Sequence, residues 1–233
     1  MSENKKYELL ESDTVKSWDG RTLKRIRALA AIVAIGVQAG DLGGYVEGEK
    51  NLQVYGNAWV YGNARVSGNA QVYGDAQVYG DAQVYGDARV YGNAQVYGDA
   101  RVYGNAQVYG NAWVYGNARV SGNAQVSGDA QVSGDARVYG NARVSLSLHL
   151  GWFSHVGSEM GTLTWYRGKT GILVNRGCFS GTLDEFDAAV TKTHGDSQNG
   201  KEYRCLIEFI RLRTANFTWD DVIEDKALVG GDA

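Results

Sequence analysis

Proline is absent from all 233 residues, although ordinary usage of about 5% would supply roughly a dozen. Proline removes a backbone N–H and enters sheets only at edges, strand starts and bulges, so its absence suits a chain committed to continuous pairing. Cysteine is scarce: Cys178 and Cys205 have neither disulfide-scaffold nor zinc spacing and are expected to be buried small hydrophobes. Lys and Arg number 23 against 26 Asp and Glu, a net charge of −3, which gives no global basic footprint for nucleic acid. No segment reaches the roughly 18 apolar residues of a membrane span; the longest, 28–37, is interrupted by Gly36. No apolar stretch of the signal-peptide kind follows Met1-Ser-Glu-Asn-Lys-Lys, and the expected setting is soluble, reducing and cytoplasmic. Hydrophobic residues at 44% exclude a wholly disordered chain.

What is present is a repeat. Valine recurs every six residues from Val54 to Val144, and alanine stands two residues before each valine from Ala58 to Ala142. The unit reads Ala-x-Val-Tyr/Ser-Gly-Asn/Asp, with Gln, Arg or Trp at x. Residues two apart on a strand share a face, so Ala and Val point inward while x and Tyr/Ser point outward. Glycine followed by Asn or Asp turns the corner, because these residues accept positive φ most readily. A 3.6-residue helix would scatter the valines around its circumference. Strands this short with a corner every six residues coil into a parallel β-helix, three hexads to a turn.

The hexad, Val-Tyr-Gly-Asn-Ala-Arg for example, resembles the aliphatic-x-x-x-small-x unit of hexapeptide-repeat proteins. The lead-in Ala39-Gly40-Asp41-Leu42-Gly43-Gly44-Tyr45-Val46-Glu47 with Asn51-Leu52 is similar to the entry segment of bacterial and phage members labelled putative acyltransferases. The resemblance implies a left-handed triangular prism and association into homotrimers. With Leu42 and Gly48 opening degenerate first hexads, the prism has about six coils and stands roughly 29 Å tall.

Residues 18 apart share a column. The first face carries Gln53, Gln71, Arg89, Gln107, Gln125 and Arg143 beside Tyr55, Tyr73, Tyr91, Tyr109, Ser127 and Ser145. The second carries Trp59, Gln77, Gln95, Trp113 and Gln131 beside Tyr61, Tyr79, Tyr97, Tyr115 and Ser133. The third carries Arg65, Gln83, Arg101, Arg119 and Arg137 beside Ser67, Tyr85, Tyr103, Ser121 and Tyr139. Tyrosine columns stabilise neighbouring strands. On the second face Trp59, Tyr61, Tyr79, Tyr97, Trp113 and Tyr115 form an aromatic patch of the kind that marks interfaces, and they are the expected trimer contact. On the third, Arg65, Arg101, Arg119 and Arg137 with Tyr85 and Tyr103 are candidates for gripping a small anionic ligand. The corner aspartates Asp75, Asp81, Asp87, Asp99, Asp129 and Asp135 are expected to form solvated salt pairs with these arginines. No metal site is expected, because the nine-residue calcium β-roll motif is missing.

Hexapeptide acyltransferases use a histidine as general base between adjacent prisms, a role suited to a pKa near working pH. The three histidines, His149, His155 and His194, all fall outside the repeat. No nucleophile, zinc or phosphate-loop signature appears, and no catalytic residue or cofactor is assigned.

Residues 1–41 read as a β-hairpin cap: strands at 7–10 and 22–29 flank a turn at Trp18-Asp-Gly-Arg21. Lys24, Arg25 and Arg27 make a small basic cluster, expected on a solvated edge strand. The β-helix is assigned to 42–145 and a small ββαα module to 146–213. Its strands are 162–166 and 172–174, its first helix opens with the capping box Thr182-Leu-Asp-Glu185 and ends at Gly195, and its second spans about 201–213. The run Arg176-Gly-Cys-Phe-Ser-Gly-Thr-Leu-Asp-Glu-Phe186 resembles C-terminal modules of uncharacterised phage proteins. Residues 214–233, with Asp220, Asp221, Glu224 and Asp225, read as an acidic tail. The expected function is a non-catalytic trimeric scaffold presenting this module to a partner or ligand. The alternatives are an acyltransferase-like enzyme with sites between prisms, and a nucleotide or nucleic-acid-related binder using the third face.

Overall fold

A computed structural model describes residues 5–217 and 219; the acidic positions Asp220, Asp221, Glu224 and Asp225 lie outside the described residues. The chain is mainly β. Two long antiparallel strands, β1 (Tyr7–Lys16) and β2 (Thr22–Ala28), lead to β3 (Leu42–Val46) and then to fifteen two-residue rungs from Trp59–Val60 to Arg143–Val144. Every third rung pairs in parallel and in register, as Val96 with Val114 and Val102 with Val120. The result is a β-solenoid of about six coils with three flat faces.

The hexad explains this local structure. Each valine from Val60 and each alanine from Ala58 is fully buried, so the interior is a column of small apolar side chains. Outward N–H groups are committed to the next coil: Gln95 N donates to Ala112 O (3.0 Å) and Tyr97 N to Val114 O (2.9 Å). Each corner glycine holds a positive φ, Gly98 at 69° for instance, and a Cβ there would sit 3.1 Å from Gly116 N. Such corners admit no side chain without strain.

The first coil departs from the expected phase. Val46 pairs with Val66 and Leu52 with Val72, so the interior column runs 46, 52, 60, with a step of eight where six is the rule. Leu52 is fully buried, whereas Val54 is only half-buried and Tyr55 and Leu42 are exposed. Val54-Tyr55 is thus a two-residue insertion: Gln53 falls over Tyr73, not Gln71, and Tyr55 drops out of the first-face column. Leu52, larger than valine, takes the interior site of this first coil.

The hairpin extends the third face, making an eight-stranded sheet, and curls over the open end. Ile26, Ala28, Ile32 and Val37 join the prism core. Lys6, itself buried, donates from Nζ to Ala58 O (2.7 Å), Tyr55 O and Gly56 O (both 3.3 Å), and the Tyr7 hydroxyl donates to Leu52 O (2.7 Å). These carbonyls end the first coil, where no earlier rung exists to meet them. The expected basic cluster is neutralised across the hairpin: Lys24 pairs with Glu11 (2.6 Å), Arg25 with Asp13 (2.6 Å) and Arg27 with Glu8. Because β2 lies between β1 and β3, these side chains are not on an edge strand.

At the other end stands a separate antiparallel sheet of β4 (Leu150–Val156), β5 (Gly161–Arg167), β6 (Ile172–Arg176) and β7 (Phe179–Thr182), followed by α1 (Leu183–His194) and α2 (Gln198–Thr214). The module therefore has four strands, where the sequence suggested two. The overlooked strands flank tight turns, such as Gly177 at φ 59° between β6 and β7. The capping box forms as expected: Glu185 N donates to Thr182 Oγ1 (3.2 Å) and Thr182 N to Glu185 Oε2 (2.8 Å). Both cysteines are exposed, against expectation. Cys178 lies in the β6–β7 turn, and Cys205 lies off the buried stripe Tyr203, Ile207, Ile210 of α2. Among the described residues no helix is long and apolar enough to cross a membrane.

Strand β5 closes the last coil with side chains in place of a further rung. Arg137 N donates to Thr164 Oγ1 and Tyr139 N to Tyr166 Oη, both at 3.1 Å, while Ser145 N reaches His149 Nδ1 at 3.3 Å. The Tyr166 ring is buried in the prism core, and burial pushes its phenol up to about 12. Tyr166→Phe strands the Tyr139 N–H and is expected to cost about 1–2 kcal/mol, read as a lower guanidinium midpoint. Tyr103→Phe, at a rung whose N–H is met by backbone, should change it far less.

Candidate functional site: the solenoid faces

The outer positions fall into ladders because identical side chains repeat at the coil spacing. Tyr73–Tyr91–Tyr109 stack on the first face with centroids 4.8 and 4.9 Å apart, Tyr79–Tyr97–Tyr115 on the second at 4.9 Å, and Tyr85–Tyr103 on the third at 5.0 Å. Interplanar angles are 5° or less. Burial raises the pKa of Tyr73, Tyr79, Tyr85 and Tyr97. Stacking consumes ring faces, so each ladder offers solvent its ring edges and hydroxyls, with faces free only at the ends.

The second face brings Tyr61, Tyr79, Tyr97, Tyr115 and Trp113 together. Tyr61 meets Tyr79 edge-on at 6.2 Å, and Trp113 lies edge-on to Tyr97 at 6.4 Å while remaining exposed. Trp59 does not belong to this surface. It is 1% exposed and packed edge-on against Tyr7 at 6.3 Å, because the N-terminal cap covers the first rung. No rung of this face carries a charged side chain at x or at Tyr/Ser.

The third face holds the arginine column. Arg101 pairs in register with Arg119, and Arg119 with Arg137. Arg65 is separated from them by Gln83, and its Nη1 donates to Lys16 O (3.2 Å) beneath the N-terminal hairpin. Trp18, at the tip of that hairpin, lies 5.7 Å from Tyr85 and is 71% exposed. In the sequence Trp18 is only a turn residue; no local pattern signals a contact 67 positions away. At the far end Tyr139 lies against Tyr103 across the buried Ser121.

The expected salt pairing does not form. Among the described residues no ion pair joins an arginine and an aspartate of the repeat; the corners instead carry amide ladders. Asn57 Nδ2 donates to Asp75 Oδ1 (2.7 Å), Asn69 to Asp87 (3.0 Å), Asn111 to Asp129 (3.1 Å) and Asn117 to Asp135 (3.1 Å). The next corner lies one coil away, within reach of these short side chains, whereas arginine projects from the flat face.

The histidines are dispersed. His149 accepts from Ser145 N, His155 is exposed on β4, and His194 lies beside Tyr203 at 5.4 Å. A cleft of about 620 Å³, missed in the sequence, opens between the last coil and the module, lined among others by Tyr139, Asn141, Lys169, Thr170 and Ser180. It contains no histidine or cysteine. Among the described residues no three His, Cys, Asp or Glu side chains are placed to hold a metal ion.

The YdcK beta solenoid repeat family matches at residues 52–68, 59–74, 70–86, 82–98, 94–110, 100–122, 112–128, 130–145 and 136–151. The matched segments begin at Leu52, within the first coil, and end at the second residue of β4. No curated protein matches the chain.

Proposed function

We propose that this β-solenoid repeat protein is a non-catalytic scaffold whose prisms associate side by side, through the second face, into a homotrimer that presents the C-terminal module to a partner. The observation that carries this reading is the composition of the second face: tyrosine, tryptophan, glutamine and serine, with no charge on any rung. Interface cores are depleted of charge and enriched in aromatic residues. Both ends of the solenoid are closed by the chain itself, which leaves the flanks for association and protects the strand edges. The left hand implied by the hexapeptide-repeat resemblance belongs to the same proposal.

Sedimentation velocity tests it. The parent is expected to sediment at three chain masses at micromolar concentration, and Trp113→Glu, which sets a charge in the centre of the face, as a single chain with an unchanged β spectrum. A parent of one chain mass sinks the assembly.

A further inference from the structure

The third face carries a feature that assembly through the second does not explain. Arg101, Arg119 and Arg137 occupy three successive rungs in register, an arrangement that like charges disfavour. Among the described residues their guanidiniums have no ion-pair partner within 4.0 Å. The neighbouring corner carboxylates do not compensate them: Asp135 is engaged by Asn117, and Asp99 pairs with no arginine. Glutamine takes the same outward position at Gln95, Gln107, Gln125 and Gln131, so the solenoid accepts a neutral residue there.

The three rungs also lie between two features that come from outside the repeat. At one end the β1–β2 turn covers the earlier rungs, with Arg65 tied to Lys16 O and Trp18 set over Tyr85. At the other end β5 closes the last coil through Thr164 and Tyr166. Between them Arg101, Arg119 and Arg137 span about 10 Å, at roughly 4.8 Å per rung. Tyr103, Ser121 and Tyr139 run beside them.

We propose that this arginine column is a binding site for a small ligand carrying a chain of phosphate groups. Arginine presents its donors as a planar fork that matches phosphate oxygens in bidentate fashion. A phosphate chain lying along the column sets a negative charge against each rung and cancels the repulsion among the arginines. The column is three rungs long, with the β1–β2 turn at the rungs before it and β5 in place of the rung after it, a length that fits an oligophosphate. On this face Tyr85 and Tyr103 stack on each other and Ser121 interrupts the column, so it lacks the run of successive open ring faces that single strands use. The exposed indole of Trp18 lies against Tyr85, one rung before Arg101, where a ring attached to the phosphate chain would meet it.

The experiment is calorimetric titration of the full chain with inorganic tripolyphosphate and, separately, with adenosine triphosphate. Both are expected to bind, with affinity falling at least tenfold in Arg119→Gln and falling steeply between about 50 and 200 mM salt. The same variant is expected to melt no lower than the parent and to keep the parent's sedimenting mass, which separates lost binding from lost folding or assembly. Tighter binding of adenosine triphosphate that disappears in Trp18→Ala identifies the base as a second anchor. Equal binding of the two probes identifies the phosphate chain alone. Absence of binding by both probes, an Arg119→Gln variant within twofold of the parent, or binding confined to double-stranded DNA would overturn the assignment.

Discussion

Gly110→Ala is expected to lower the stability of the solenoid by about 3 kcal/mol, while Gly140→Ala costs about 1 kcal/mol. Both glycines turn corners at nearly the same φ, +68° and +64°, so both substitutions force an L-residue into the left-handed region. They differ in what the new methyl meets. At Gly110 an added Cβ lies 2.9 Å from Gly128 N, a backbone atom fixed in the next coil. Asn111 N donates to Gly128 O at 2.9 Å, so that neighbour cannot withdraw without breaking the ladder. At Gly140, on the last coil, an added Cβ meets nothing within 4 Å. Guanidinium midpoints of the two variants check the contrast; equal losses would show that φ alone sets the cost.

Raising the pH above 10 is expected to dismantle the solenoid in a narrow interval. Tyr61, Tyr73, Tyr79, Tyr85, Tyr97 and Tyr139 all have phenols raised above the ordinary tyrosine value, with burial as the leading cause. Neighbouring phenols add to the shift at Tyr79 and Tyr97. A group whose folded pKa is raised contributes stability that is complete below its unfolded pKa, near 10, and is lost as pH climbs through the folded value. Tyr166, at about 12, alone accounts for roughly 3 kcal/mol lost between pH 10 and 12. Lys6 acts in the opposite sense at lower pH. Burial lowers it to about 8, so the unfolded chain binds the extra proton between 8 and 10.5, and stability rises with pH across that window. Maximum stability is therefore expected near pH 10, where the gain from Lys6 meets the onset of the tyrosine loss. Guanidinium midpoints from pH 7 to 12, with tyrosinate absorbance followed in parallel, test this. Tyrosinate appearing at pH 10 while the β signal stays intact would contradict it.

The hexad made most of the architecture legible because three residue types in it each have one physical use. Valine and alanine fill the interior, and glycine turns the corner. Where a residue could play two parts, periodicity misled. Val54 continues the valine period, yet the larger Leu52 takes the interior site. Trp59 sits at an outward position of the hexad, yet a cap assembled from Lys6 and Tyr7, some fifty residues earlier, removes it from the surface. The corner aspartates look like arginine partners in one dimension, but the stacking direction gives four of the six to asparagines 18 residues back. The arginine column was readable from the spacing; its boundaries, Trp18 and β5, were not, because both come from outside the repeat.

The eight-residue step between Leu52 and Val60 has a consequence for how the chain finds its alignment. Within the repeat every hexad is nearly interchangeable, so a slip of six residues would turn the coils by one face and still bury valine under alanine. Such a frameshift costs little inside the prism and is punished only at its boundaries. A coil wound out of frame would misplace the carbonyls that Lys6 and Tyr7 engage, and the N–H groups that Thr164 and Tyr166 receive. The irregular step, where the period breaks, is thus the reference mark from which the uniform part is counted. It decides which side chains are dealt to the aromatic flank and which to the cationic one.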